Sequence, residues 1–153
     1  MRLLLLALLL AAPAAAQAAD PTGFATSAEV KAQVEAMDKA MKPGQGFAWQ
    51  PLVRDGDRSA AIEIWKKPGK PAVHPDQAEY AIVIAGEGTL RSGGTMMGGR
   101  QTQPGLIEGD RIDGATERPL RPGDVMLIPA GVPHWFGITG DRLVLLGTKL
   151  STK

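Results

Sequence analysis

The sequence predicts an all-β domain, a closed barrel or double-sheet jelly roll, with one helix in front of it. Hydrophobic periodicity changes only once, from about 3.6 residues over positions 26–42 to about 2 from Phe47 onward. Beyond that change, short strand-like segments recur between glycine, proline and aspartate, the pattern of many brief strands joined by turns. At 153 residues the chain is long enough to close a single core, and one domain is expected.

The helix is signalled at both ends. Thr26 with Glu29 three residues later makes a capping box, Val30, Val34, Met37 and Met41 fall on one face, and Lys39, Lys42 and Pro43-Gly44 form the stop. This lone helix should pack on the outside of the domain, its methionines filling space. Strands are expected over 47–54 and 59–66, joined by a hairpin turn at Asp55-Gly56-Asp57, with Ile62 and Ile64 on one face of the second strand and Glu63 on the other.

From Glu79 to Ala85, Tyr80, Ile82 and Ile84 alternate with Glu79, Ala81, Val83 and Ala85. The second set is smaller, as the inner wall of a ligand-holding barrel requires, and Glu79 is the odd residue on it. Gly86-Glu87-Gly88 reads as a turn into a strand at 89–92. The 34 residues between Gly88 and Gly123 include seven glycines and only short apolar runs, so they read as hairpins and a long loop, with 142–149 as a closing strand.

The most informative stretch is Gly123 to Trp135, GDVMLIPAGVPHW. Gly-Asp suits a tight turn, Val125 to Ile128 is an apolar run fit for a buried strand, and Pro129 to Pro133 must bend sharply. Two prolines with a glycine between them hold the backbone stiffly, so His134 enters the following strand, 134–138, at a fixed position. Such placement suits a metal ligand or a proton carrier, and equally a hydrogen-bonded core histidine.

Here the sequence resembles the cupins. Gly123, five residues, Pro129, one residue, Gly131, two residues and His134 is similar to the second cupin motif, with Ile138 where that motif usually has Asn. Upstream, His74, Glu79 and then Gly86 after six residues resemble the second half of the first motif. The first histidine of that motif is replaced by Ala72, and its leading glycine falls on Lys66. The resemblance spans roughly residues 60–148 and implies a cupin-type jelly-roll β-barrel with His74, Glu79 and His134 on metal-ligand positions. It also implies a small-molecule ligand and pairing into a homodimer. These are the chain's only two histidines. Two imidazoles and a carboxylate leave coordination positions open, as in non-haem iron sites, and the set also suits manganese, nickel or zinc.

Arg2, the Leu/Ala run 3–12 and an Ala-x-Ala choice at Ala14/Ala16 or Ala16/Ala18 have the three parts of a secretory signal peptide. The apolar run, about ten residues, is short against the roughly 20 that span a bilayer. Residues 1–18 are therefore read as a removed signal peptide, 19–46 as lead-in and helix, and 47–153 as the cupin-like barrel, with a periplasmic or secreted address and no membrane contact after cleavage. The chain has no cysteine, which excludes thiolate ligands, thiol catalysis and disulfides, so stability must come from the core.

Only one of the 17 Lys and Arg lies in residues 1–18, leaving 16 against 16 Asp and Glu, and this balance gives no case for a nucleic acid partner. The glycine pairs open no helix, so no phosphate cradle is expected, and no Ser-His-Asp arrangement has motif support. Three functions follow as expectations. The first is an exported cupin binding a small molecule through a reduced divalent-metal site. The second is a metal-dependent dioxygenase or isomerase, and the third a metal-free structural or partner-binding domain.

Overall fold

The computed structural model describes residues 20–152; the signal peptide expected at 1–18 lies outside them. One helix, α1 (Ser27–Ala40), precedes β1 (Phe47–Asp55), β2 (Arg58–Trp65), β3 (Ala72–Val73), β4 (Gln77–Ser92), β5 (Thr95–Met97) and β6 (Arg100–Gln103). There follow β7 (Leu106–Glu108), β8 (Arg111–Asp113), β9 (Thr116–Leu120), β10 (Val125–Ile128) and β11 (His134–Ser151). Thr26 caps α1 and forms the expected box with Glu29. Among the described residues no helix is long and apolar enough to cross a membrane.

The frame is an antiparallel ribbon of β4 and β11, paired from Gln77↔Ser151 to Ser92↔His134. Its first half in β4 sits between β10 and the C-terminal part of β11, which continues to β2 and β1. Its second half sits between β9 and the N-terminal part of β11, which continues through β3 to β7 and β6. One ribbon thus belongs to both sheets of the jelly roll, and it bends where the register slips between Ile138 and Leu143. Side chains from both halves meet inside: Ala81, Val83, Leu143 and Leu145 from one, Leu90, Leu120 and Phe136 from the other.

The alternation in β4 falls as expected, with Glu79, Ala81 and Val83 buried and Tyr80 on the surface. The outer face of the first sheet carries Ile62, Ile64 and Val144 beneath Val34 and Met37 of α1. Asp38 of α1 binds Lys66 at 2.6 Å and also Arg142, pinning the helix to the end of β2 and the ribbon bend.

Three expectations need correction. Gly86-Glu87-Gly88 is a bend inside β4, not a turn between strands. Gly86 takes φ +75 and its missing Cβ leaves room for the Arg142 carbonyl, so pairing with β11 carries through. For the same reason 134–138 and 142–149 are one strand, β11. Val125 to Ile128 is not fully buried: β10 pairs only with β4, so Met126 and Ile128 face the core while Val125 and Leu127 are 61% and 60% exposed.

A Cβ at Gly86 would lie 2.0 Å from the Arg142 oxygen, whereas Gly123, at φ +96, has nothing within 4 Å. Gly86→Ala is expected to cost about 3 kcal/mol or more, and Gly123→Ala only about 1 kcal/mol of backbone strain. Urea unfolding of the two variants checks this, and equal costs would show that contact with Arg142 does not fix the bend.

Candidate metal centre

His74 follows β3, Glu79 is the third residue of β4 and His134 is the first of β11. His134 is placed by the proline-bracketed turn already visible in the sequence. The Pro129–Pro133 turn puts Gly131 at φ +78, and its N–H donates to the His74 carbonyl at 2.9 Å, so the two histidine-bearing segments are tied together. Strand pairing sets Ala72 directly opposite His134.

One ligand atom from each of His74, Glu79 and His134 lies within 4.8 Å of the others. His74 Nε2 is 3.5 Å and His134 Nε2 3.4 Å from the same Glu79 oxygen, Oε2. The opposite ring nitrogens are both engaged: His74 Nδ1 with the Gly105 carbonyl at 3.3 Å and His134 Nδ1 with the Val132 carbonyl at 3.0 Å. A carbonyl only accepts, so each Nδ1 carries a hydrogen, and each Nε2 faces Glu79 either as the lone pair of a neutral ring or as the N–H donor of a protonated one. Two imidazole nitrogens and a carboxylate converging at this distance draw a cation among them, and Lys149 Nζ is the one that Glu79 Oε2 holds. This is the donor set that a divalent metal satisfies, with the tautomer fixed by outer hydrogen bonds.

The surroundings tune these groups. Burial pushes the His74 imidazole below its ordinary range, and the charge of Lys149 pushes the same way, favouring the neutral ring that ligates. Burial would raise the Glu79 carboxyl, but hydrogen bonding to His134 and the charge of Lys149 outweigh it and hold the group at about 2. Lys149 stands opposite Glu79 on the neighbouring strand and its Nζ donates to Glu79 Oε2. Glu63 is the second carboxylate of the interior; burial and then the charge of Glu79 raise it, while Trp65 Nε1 donates to it at 3.1 Å.

Sequence reasoning did not assign Glu63 or Lys149 to the site. Ile62 and Ile64 look like the core face of β2, but they pack under α1, so the opposite face, with Glu63, turns into the barrel. Lys149 could have been found from register, since it pairs with Glu79 and therefore shares its face. A cavity of about 690 Å³ opens beside the centre, lined by Glu63, Glu79 and Lys149 over Ala61 and Gly147. Of the aromatics near it, Trp65 and Phe136 pack inside, with ring centroids 6.0 Å apart. Tyr80 lies on the outer face, and Trp135 bonds the Gly69 carbonyl beside a separate surface cleft.

Comparison with known families matches residues 69–150 to the model described as Cupin. The chain belongs to the cupin family. Comparison with curated proteins by sequence gave no match. Among solved structures, this cupin is similar to recombinant oxalate oxidase in complex with glycolate, at TM-score 0.52 and 18% identity over 76% of this chain; the match spans only 58% of the oxidase. It is also similar to TT1209 from Thermus thermophilus, at TM-score 0.54 and 17% identity over 77% of this chain and 93% of that one. A third is FeII HppE in complex with substrate, at 0.50 and 15% over 72% and 53%. At these identities the structures share the cupin fold. Ile138, where the second motif usually has Asn, packs here against the hydrophobic core.

The depressed Glu79 carboxyl has a consequence for stability. Its folded value is about 2 against 4.5 for the free group, so ionised Glu79 stabilises the fold fully above pH 4.5, and this contribution is lost as pH falls toward 2. The pH-dependent part is on the order of 3 kcal/mol. Urea unfolding of the wild type and Glu79→Gln from pH 7 to 2 should show this acid limb only in the wild type; parallel profiles would contradict it.

Proposed function

We propose that this chain is an exported cupin that binds a small molecule through a reduced divalent-metal site of His74, Glu79 and His134. The observation that carries the reading is the pair of backbone-locked histidines aiming both Nε2 atoms at one Glu79 oxygen. The donor set suits iron, manganese, nickel or zinc. Bound there, such an ion would supply open coordination positions and Lewis acidity to a ligand entering the cavity. The residues around it would exclude water on the Phe136 and Trp65 side and present Glu63 and Lys149 on the other. A periplasmic or secreted address rests on the signal-like residues 1–18 alone. Pairing into a homodimer is supported by the exposed Val125 and Leu127 on edge strand β10.

Two other readings have their own support. A metal-dependent dioxygenase or isomerase would use the same open positions, and the similar oxalate oxidase and FeII HppE structures hold glycolate and a substrate. A metal-free binding domain is supported by Lys149, which already gives Glu79 a cationic partner.

Metal content of natively purified protein separates these readings. His134, 4% exposed and held by the proline-bracketed turn, should matter more than His74, which is 14% exposed on a longer hydrogen bond. His134→Ala is expected to abolish metal retention and His74→Ala to weaken it by roughly tenfold. Ala72→His, facing His134 across the pair, should strengthen it by restoring a fourth ligand. Equal content in the wild type and all three variants would show that the histidines are structural and make the metal-free domain the better account.

A further inference from the structure

We propose that Lys149 is a displaceable counter-ion of the metal centre: it occupies Glu79 before metal binds, and once displaced it anchors the negative group of a small carboxylate ligand. The inference rests on the metal-site reading above and extends it to the class of ligand.

The first half follows from geometry. Glu79 Oε2 is the oxygen that both histidines face, and it is the atom that the Lys149 ammonium holds. A metal on the three ligands and an ammonium on that same oxygen compete for one negative charge in a buried place. The Lys149 side chain is 34% exposed against 7% for Glu79, so the ammonium has an aqueous side to withdraw to, which Glu79 lacks. That side is the cavity of about 690 Å³, over the small residues Ala61 and Gly147.

The second half follows from charge. Before metal binds, Glu79 and Lys149 cancel, and even an ionised Glu63 leaves these three groups with a single negative charge, which a divalent ion turns to net positive. A divalent ion brings two positive charges next to an ammonium that has lost its partner. Two like charges this close together attract an anion between them, the ion from the buried side and the ammonium from the wet side of the cavity, so the loaded site favours one. A carboxylate meets the requirement when a second oxygen on the same small molecule reaches an open metal position, because then both positive groups are satisfied by one ligand. An uncharged analogue would satisfy only the metal.

The test uses the full chain, a fixed metal (Zn²⁺) and two probes, lactate and its uncharged counterpart lactamide, with binding read by titration calorimetry. Lys149→Met keeps the chain length without the charge, and Lys149→Arg keeps the charge. Lys149→Met should bind Zn²⁺ roughly tenfold more tightly than the wild type, and Lys149→Arg about as the wild type does. In the loaded wild type, lactate should bind at least about tenfold more tightly than lactamide, and Lys149→Met should narrow that preference severalfold, leaving the metal's own share, while Lys149→Arg retains it. Unchanged or weaker Zn²⁺ binding by Lys149→Met, or a lactate preference undiminished by it, overturns the proposal while leaving the metal reading intact. Failure of both the wild type and Lys149→Met to bind Zn²⁺ overturns the metal reading, and this proposal with it. Circular dichroism of each variant confirms that the comparison is between folded proteins.

Discussion

The pairing of β4 with β11 is the constraint on which the rest depends. Glu79 lies near one end of this ribbon and His134 at the other, where it pairs with Ser92. In a straight ribbon the 13 residues from Glu79 to Ser92 would span about 40 Å, at roughly 3.3 Å per residue. Yet His134 Nε2 is 3.4 Å from Glu79 Oε2. The ribbon therefore folds back on itself, and the fold-back is made at Gly86, the residue whose missing Cβ admits the Arg142 carbonyl. Arg142 is also one of the two cations that hold Asp38 of α1, so the bend and the helix that covers the outer sheet are fastened at one point. A single glycine with positive φ thus connects the closure of the barrel to the assembly of its centre.

The chemistry of that centre is set as much by backbone as by side chains. Two carbonyls, Gly105 and Val132, consume the Nδ1 hydrogens of the histidines and so decide which nitrogens face inward. The carboxylate between them is kept ionised in spite of burial because hydrogen bonding to His134 and the charge of Lys149 outweigh the cost of leaving water. Alanine stands opposite His134 on β3, so the cluster consists of two imidazoles and one carboxylate with the Lys149 ammonium on it.

Much of this was legible in the residues. The helix was marked by its capping box and apolar stripe, and the inner face of β4 by its smaller residues. The three residues that cluster were marked by the cupin-like spacing of Gly123, Pro129, Gly131 and His134 together with His74, Glu79 and Gly86. What escaped has identifiable physical causes. A glycine pair such as Gly86 and Gly88 signals a turn in any local reading, and only the Arg142 carbonyl, 56 residues on, shows that it is a bend within a strand. Val125 and Leu127 look buried because they are apolar; their exposure follows from β10 being an edge strand, which is a property of topology. Glu63 was hidden because β2 is covered on both faces, by α1 on one and the barrel interior on the other, so alternation alone could not say which face was inside.

The most direct measurement of the central claim is X-ray absorption at the edge of the metal carried by the loaded protein. The account predicts nitrogen and oxygen neighbours at about 2.0–2.2 Å with the multiple scattering of two imidazole rings, and one ring fewer in His74→Ala. A spectrum without imidazole scattering, or one unchanged by loss of either histidine, would contradict it.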